Sequence, residues 1–338
     1  MVAYSAVQAS NAAIARWLPE TVVAVFVGGT SGIGEYTLKE LARAARKPRI
    51  YILGRSQSSF DRIAAECRQI NPAGRYVFVQ GDLSLLRNVD AVCKTVQGQE
   101  EAINIVFWSA GTLIRGQKTA EGLDLAAASR VYSRTRIISN LLPQLEAATG
   151  LRRVVSVSTG TSEGAIDFAD FQLVRSSSSL AKQRAHNSSL ISLTNMRFAQ
   201  RAPTVAFVHD YPGHVRSGIS RGATGVLGAA LVVVRALGPL LFFKPEQESG
   251  QRHLYYLCSA RFRAREGVEE TVPLGEGVAT ARGVDGVEGS GVYSCDADND
   301  EAPEKVEMVL ARHREEGALE RVWERIQDDT KAILGAAY

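Results

Sequence analysis

A glycine-rich segment near the start of the chain has the spacing of a phosphate-binding turn. It follows an apolar run, precedes a helical pattern and reads Gly28-Gly29-Thr30-Ser31-Gly32-Ile33-Gly34. Glycines let the backbone turn tightly and approach a pyrophosphate, and the helix that follows supplies free N–H groups and the positive end of its dipole. The order strand, turn, helix is the context that this chemistry requires. The segment therefore predicts a dinucleotide site, with a purely structural turn as the alternative.

The end of the second apolar run indicates which dinucleotide is bound. An enzyme that uses NAD usually has a carboxylate here, which holds the 2′-hydroxyl of the ribose. This chain has Leu53-Gly54-Arg55-Ser56, which offers a cation and a hydroxyl to a 2′-phosphate. The sequence therefore favours NADP(H), and the alternative is that Arg55 is a solvated surface residue.

Short apolar runs alternate with longer helical patterns from residue 21 to about residue 213. The runs are rich in Val, Ile, Phe and Tyr, as expected of strands that are buried on both faces. They are Val22–Val27, Arg49–Leu53, Tyr76–Gln80, Ile103–Trp108, Arg153–Val157 and Val205–Val208. Between them, stretches such as Gly34–Arg46 and Phe60–Ile70 repeat apolar residues at three- and four-residue spacing. The alternation predicts an α/β, doubly wound (Rossmann) sheet of about seven mostly parallel strands.

The last third of the chain begins with an unusually apolar segment, Gly222–Phe243. Its 22 residues are enough to span a bilayer. Arg235 and the four glycines of the segment weaken a spanning helix. We therefore expect a buried helix or a lid over an apolar substrate cleft, and peripheral membrane contact is the alternative.

The remaining C-terminal residues are expected to complete the same domain. Glu266–Gly291 predicts a surface loop, Gly291–Ser294 a last short strand, and Glu304–Leu334 an amphipathic helical region with a solvated charged face. His253–Ser259 fits either a helix or a strand. We expect one domain over residues 1–338. Its dinucleotide-binding and catalytic core spans residues 21–220, and the lid, last strand and C-terminal helix span residues 221–338.

Composition excludes several classes of protein. Lys and Arg number 39 against 36 Asp and Glu, so the net charge is +3 and gives no electrostatic basis for binding nucleic acid. The four cysteines lie far apart without a CxxC pair, which argues against disulfides or a metal site and favours a reducing compartment. Residues 1–20 lack the pattern of a secretory signal. We therefore expect a cytoplasmic protein. The cysteines are Cys67, Cys93, Cys258 and Cys295.

The glycine spacing resembles that of the short-chain dehydrogenase/reductase family, and the resemblance covers about residues 21–220. Three further motifs carry it: Gly81-Asp82-Leu83-Ser84, Ser109-Ala110-Gly111 and Tyr211-Pro212-Gly213-His214-Val215-Arg216-Ser217. The resemblance implies that Asp82 contacts adenine and that the Pro-Gly turn closes over nicotinamide, with Ser217 where Thr is usual. Trp108 and Ser109 replace both asparagines of the family's Asn-Asn-Ala-Gly motif. Val131-Tyr132-Ser133-Arg134 and Phe207–Tyr211 are similar to members from fungal specialised metabolism.

The resemblance also implies catalytic residues, two of which are replaced in this chain. The family orients the carbonyl with a Ser or Thr, uses a Tyr as the acid, and holds the ribose with a Lys four residues later. Thr159, with Ser158 beside it, occupies the position of the catalytic Ser, and Lys182 that of the Lys. Ser178 stands where the Tyr belongs. Tyr132 stands where the family has a water-ordering Asn.

Any proton transfer must then use another group, because a serine hydroxyl is a far weaker acid than a phenol with its pKa of about 10. The candidates are Tyr132, His186, Tyr211 and His214, each of which has a purely structural alternative. Three functions stay open: an NADP(H)-dependent oxidoreductase with altered acid–base residues that acts on a lipophilic ketone or alcohol, a non-redox isomerase, dehydratase or cyclase, and an inactive nucleotide-binding protein. The resemblance further implies that the chain is able to form a homo-oligomer.

Overall fold

A computed structural model describes residues 1–112, 114, 116–175, 179–218, 243–268 and 270–335. Ser178 and all but the last residue of Gly222–Phe243 lie outside the described residues. No described helix is long and apolar enough to cross a bilayer.

The described residues build a parallel sheet of seven strands in the order β3-β2-β1-β4-β5-β6-β7. Every neighbouring pair is parallel. The strands are β1 (Val23–Val27), β2 (Arg49–Gly54), β3 (Arg75–Gln80), β4 (Ile105–Trp108), β5 (Arg153–Val157), β6 (Ala206–Asp210) and β7 (Val292–Cys295). The strand order reverses between β1 and β4, which is where open α/β sheets bind ligands. The predicted doubly wound sheet is confirmed.

Helices cover both faces of the sheet. They are α1 (Tyr4–Ala12), α2 (Ile14–Trp17), α3 (Gly32–Ala44), α4 (Gln57–Ile70), α5 (Leu86–Gln97), α6 (Leu125–Ala127), α7 (Ser133–Ala147), α8 (Leu180–Arg201), α9 (Glu246–Cys258), α10 (Glu304–Glu315) and α11 (Ala318–Leu334). A π-helical turn, Ala128–Tyr132, leads directly into α7. One apolar cluster joins the sheet to α5, α7, α8, α10 and α11, and a second joins it to the other long helices.

Strand β1 shows why the predicted runs are continuously apolar. Val23, Val25 and Val27 point into the first cluster, whereas Ala24 and Phe26 point into the second. Successive side chains of a strand face opposite sides of the sheet. Because helices bury both sides here, each position of the strand needs an apolar residue.

The C-terminal helical region is divided into two helices, where the sequence predicted one continuous stretch. Gly317 separates α10 from α11 and has a φ of 68°, in the left-handed region that favours glycine. His253–Ser259, which fitted either a helix or a strand, belongs mostly to α9. The loop at Glu266–Gly291 is only partly at the surface, because its residues Val272, Ala281 and Val284 are buried.

Candidate active site

The carboxyl ends of the parallel strands meet at one edge of the sheet and bring most of the predicted site residues together. The glycine-rich turn follows β1, Arg55 follows β2 and Asp82 follows β3. Ala110 and Gly111 follow β4. Ser158 and Thr159 follow β5, and the Pro-Gly turn at Pro212 and Gly213 follows β6. Residues that are more than 180 positions apart in the sequence therefore face one cleft.

The glycine-rich turn is pressed against β4 and against its own helix. Gly28 has a φ of 91°, and a Cβ atom on it would lie 2.9 Å from the backbone nitrogen of Ala110. A Cβ on Gly34 would lie 2.2 Å from the carbonyl oxygen of Gly28. Ser31 precedes α3 without forming a side-chain cap, so the first N–H groups of α3 have no side-chain acceptor from it. The turn thus fits a pyrophosphate at the start of α3.

The segment after β6 folds back onto the same turn. Gly32 has a φ of 59°, and a Cβ atom there would lie 2.9 Å from the Cβ of Ser217. Tyr36 on α3 donates its hydroxyl hydrogen bond to the carbonyl oxygen of Arg216 at 3.0 Å. Val215 pairs with Lys244 in an isolated parallel bridge. The two motifs predicted to enclose the dinucleotide are therefore in contact.

Two further positions suit the adenosine end of a dinucleotide. Arg55 is exposed, and among the residues that the structure describes its guanidinium contacts no acceptor. Ser56 caps α4, since its hydroxyl oxygen accepts a hydrogen bond from the Ser59 N–H at 3.2 Å. After β3, Asp82 accepts hydrogen bonds from the backbone and side chain of Ser84, which fixes the loop beside the buried Leu83.

The turn that carries Thr159 faces α8 through Arg184 and Ser188. The Thr159 hydroxyl lies 3.5 Å from the carbonyl oxygen of Arg184, to which it donates, and Ser188 Oγ donates to the Thr159 carbonyl oxygen at 2.8 Å. The Ser158 N–H donates to the carbonyl oxygen of Asp210 on β6 at 2.9 Å. Thr159 is half-buried, and the contact of its hydroxyl with Arg184 is long and exposed to solvent.

Lys182 is not brought to Thr159. It lies in the first turn of α8, where its side chain is exposed. The side chain of α8 that contacts Thr159 is that of Ser188, which lies six residues after Lys182 and about 240° around the helix from it. The contact of Lys182 with a ribose therefore stays a prediction.

Two of the four candidate proton donors are engaged elsewhere. Tyr132 is buried and donates its hydroxyl hydrogen bond to Asp329 at 2.5 Å, and burial together with that carboxylate raises the pKa of Tyr132 well above its usual value. His186 is buried too, and burial lowers its pKa. Its Nδ1 accepts from the Asp167 N–H, and its Nε2 lies 3.0 Å from the carbonyl oxygen of Phe171. Both side chains hold the fold together.

Tyr211 is the candidate that remains at the strand ends with its hydroxyl available. It is half-buried, and among the described residues no hydrogen-bond partner contacts its hydroxyl. The Arg184 guanidinium lies over its ring, 4.7 Å from the centroid. His214, the fourth candidate, is exposed. Arg184 therefore joins Thr159, through its carbonyl oxygen, to Tyr211, through its guanidinium.

Neither Arg184 nor Arg130 was among the site residues predicted from the sequence. Arg130 donates a hydrogen bond from Nη2 to the carbonyl oxygen of Thr112 at 2.5 Å, just beyond β4. It helps to line a cavity of about 20 Å³ that also includes Gln183 and Asn187 of α8. In the π-helical turn before α7, Arg130 therefore reaches the end of β4, whereas Tyr132 reaches Asp329 instead. The described residues contain no group of His, Cys, Asp and Glu side chains that could hold a metal ion.

Comparisons with known proteins agree with this architecture. A family model described as short chain dehydrogenase matches residues 22–150. The chain is 40% identical to an oxidoreductase of Emericella nidulans over 100% of this chain and 99% of the relative. It is 27% identical to a short-chain dehydrogenase/reductase of Stachybotrys chartarum over 94% of each chain. The crystal structure of L-sorbose reductase from Gluconobacter frateurii, complexed with NADPH and L-sorbose, has a TM-score of 0.53 at 17% identity and covers 76% of this chain and 98% of that chain.

Proposed function

This chain belongs to the short-chain dehydrogenase/reductase family, and from that premise we propose that it is an NADP(H)-dependent oxidoreductase acting on a ketone or alcohol of a lipophilic small molecule. The observation that carries the proposal is the glycine turn, where Gly28 and Gly34 leave no room for a Cβ atom beside the uncapped start of α3. A phosphate group is the ligand that such a helix N-terminus favours. The four free, buried cysteines support a reducing, cytoplasmic location.

The residues that would hold the dinucleotide lie along the strand ends in the order of its parts. Asp82 would bind at the adenine, Arg55 at the 2′-phosphate and the α3 N-terminus at the pyrophosphate. The turn from Pro212 to Ser217 would cover the nicotinamide. A bound NADPH would supply the hydride for the carbonyl carbon. Arg55 supports NADP(H) over NAD(H), because an exposed guanidinium without a carboxylate neighbour suits a phosphate monoester.

Thr159 and Tyr211 are the groups proposed to handle the substrate oxygen. The Thr159 hydroxyl would turn from its long contact with the Arg184 carbonyl oxygen to donate a hydrogen bond to the substrate carbonyl, and so orient that carbonyl. Tyr211 would give its proton to the oxygen as negative charge develops there, because a phenol is the stronger acid of the two. The guanidinium of Arg184 stands over the Tyr211 ring and would stabilise the negative charge that the ring then acquires.

A non-redox reaction on the same fold is the second candidate function. The observation that favours it is the position of Lys182, which is exposed in the first turn of α8, whereas the α8 side chain that contacts Thr159 is that of Ser188. An enzyme of this kind would use Thr159 and Arg184 to orient or polarise a substrate while the dinucleotide, if bound, stayed unoxidised.

One experiment separates the two functions. The purified protein is titrated with NADPH and with NADH, and NADPH absorbance is then followed in the presence of a panel of lipophilic ketones. Tighter binding of NADPH followed by its oxidation supports the oxidoreductase. Conversion of a substrate without a change in NADPH absorbance would favour the non-redox reaction, and failure to bind either dinucleotide would overturn the assignment of the glycine turn.

A further inference from the structure

Three buried polar side chains form a hydrogen-bond network beneath the turn that carries Thr159. His209 lies on β6, Ser192 on α8 and Glu163 in the segment that follows β5. Their exposed fractions are 0%, 1% and 8%, so none of them is reached from solvent. Buried polar groups persist only when they are hydrogen-bonded. None of these three side chains takes a direct part in the proposed reaction, so their burial needs another explanation.

The hydrogen bonds of this network all run in one direction. The Thr159 N–H donates to His209 Nε2 at 3.2 Å, so Nε2 carries no proton and the imidazole is neutral with its proton on Nδ1. Nδ1 lies 3.1 Å from Ser192 Oγ and donates to it. Ser192 in turn donates to Glu163 Oε1 at 2.7 Å. The network therefore begins at the backbone N–H of Thr159 and ends on the carboxylate of Glu163.

Glu163 is suited to be the final acceptor of the network as an anion. Burial raises the pKa of Glu163, but the hydrogen bonds to its carboxylate, that of Ser192 among them, outweigh burial and hold the pKa below its usual range. An ionised carboxylate only accepts hydrogen bonds, so it fixes the direction of the Ser192 hydroxyl. That direction leaves a Ser192 lone pair for the proton of His209 Nδ1, which keeps Nε2 as the acceptor for Thr159.

The backbone next to Thr159 is strained and is held from several sides. Thr161 has a φ of 64°, which is unusual for a residue with a side chain, and its N–H donates to Ser294 Oγ on β7 at 2.8 Å. A Cβ atom on Gly160 would lie 2.7 Å from the carbonyl oxygens of His209 and Cys295. A conformation of this kind costs about 1–3 kcal/mol and persists only where the surroundings over-determine it.

We propose that Glu163, Ser192 and His209 are positioning residues that fix the strained turn through the Thr159 N–H and so aim the Thr159 hydroxyl into the cleft. The inference rests on the proposed role of Thr159 as the group that orients the substrate. Loss of the His209 acceptor would leave a buried N–H unpaired and let the turn relax. A shift of about 1 Å in a positioning group lowers turnover by about a hundredfold.

Two substitutions of His209 separate positioning from general stability. In His209→Gln the side-chain oxygen is able to reach the place of Nε2 and accept from Thr159, whereas in His209→Asn the shorter amide reaches only the place of Nδ1. Both variants keep a buried polar amide, so their losses of stability should be similar. We expect kcat to fall about 10- to 100-fold in His209→Asn and at least several-fold less in His209→Gln, with the Kd for NADPH unchanged in both.

Nuclear magnetic resonance of the full chain labelled with ¹⁵N-histidine and ¹⁵N-threonine tests the hydrogen bonds without cofactor or substrate. The His209 signals are assigned by their loss in His209→Gln. We expect a protonated Nδ1 and an unprotonated Nε2 at neutral pH, together with an upfield shift of the Thr159 amide proton in His209→Asn.

A proton on Nε2 would overturn the inference, and so would an equal loss of kcat in the two His209 variants at equal stability. If the wild-type protein fails to oxidise NADPH with every ketone of the panel, the proposed function fails. The ring protonation of His209 and the Thr159 amide shift then decide the inference, because an unshifted amide would show that His209 does not hold the turn.

Discussion

Replacing Arg55 with alanine should separate the binding of the two nicotinamide dinucleotides. The Arg55 guanidinium is exposed and contacts no acceptor within the described part of the chain. Its removal leaves no buried group unpaired, so we expect the free energy of unfolding to change by less than about 0.5 kcal/mol. The effect should fall on binding, because a guanidinium on a phosphate makes charge-assisted hydrogen bonds.

The size of the effect follows from the exposure of Arg55. Hydrogen bonds to charged groups contribute about 1.5–3 kcal/mol, and an exposed pair belongs at the lower end of that range because water and salt screen it. A loss of about 1.5–2 kcal/mol corresponds to an increase of about 10- to 30-fold in the Kd for NADPH. NADH lacks the 2′-phosphate, so its Kd should change by less than about twofold. The difference should shrink as ionic strength rises.

The assay is a titration of each variant with NADPH and NADH, followed by the change in nucleotide fluorescence. Arg68→Ala is the matched control, because Arg68 is an exposed arginine in the last turn of α4, at the opposite end of the helix that Ser56 caps. We expect Arg68→Ala to bind both dinucleotides like the wild type. Equal losses for NADPH and NADH in Arg55→Ala, or a loss of the same size in Arg68→Ala, would refute the assignment of Arg55 to the 2′-phosphate.

Three further substitutions test other parts of the site. Gly34→Ala places a Cβ atom 2.2 Å from the Gly28 carbonyl oxygen. Denaturation should show a loss of stability of about 1–3 kcal/mol, and nucleotide titration should show weaker binding of NADPH. An unchanged Kd for NADPH would contradict the close packing of the turn. Tyr132→Phe removes the hydrogen bond to Asp329 and should lower the free energy of unfolding by about 1–3 kcal/mol in urea while leaving kcat intact. Tyr211→Phe should lower kcat by about 10²- to 10⁴-fold at an unchanged Kd for NADPH, and a kcat equal to that of the wild type would exclude Tyr211 as the acid.

The sheet was predictable because burial on both faces leaves a strong sequence signal. The apolar runs coincide with the strands to within one or two residues, as Arg153–Val157 does for β5 without any difference. The division of the C-terminal helical region was missed because a lone glycine is tolerated within a helical pattern. Gly317 ends the pattern only through its left-handed φ, which the sequence does not specify. The glycine turn was predictable because its chemistry requires particular residues at particular spacings.

The catalytic side of the cleft was less predictable because it depends on the rotation of α8. A resemblance in spacing assigns Lys182 to the ribose, which stays a prediction, but it does not tell which residues of α8 meet the Thr159 turn. Contact with the Thr159 turn is made by Arg184 and Ser188. Arg130 was missed for a similar reason, since the sequence does not reveal that a π-helical turn precedes α7. Such turns add a residue and rotate the side chains that follow.

The contacts of α8 also restrict where an acid could come from. Arg184, Ser188 and Ser192 recur at four-residue spacing, so they share the face of α8 that meets the Thr159 turn. Each of them is engaged with that turn, through the Arg184 carbonyl oxygen, the Ser188 hydroxyl and the network from Ser192 to His209. This face of α8 carries no tyrosine that could act as the acid. If the enzyme reduces a carbonyl, we propose that its proton comes from Tyr211, the phenol that follows β6 and lies beside the Arg184 guanidinium.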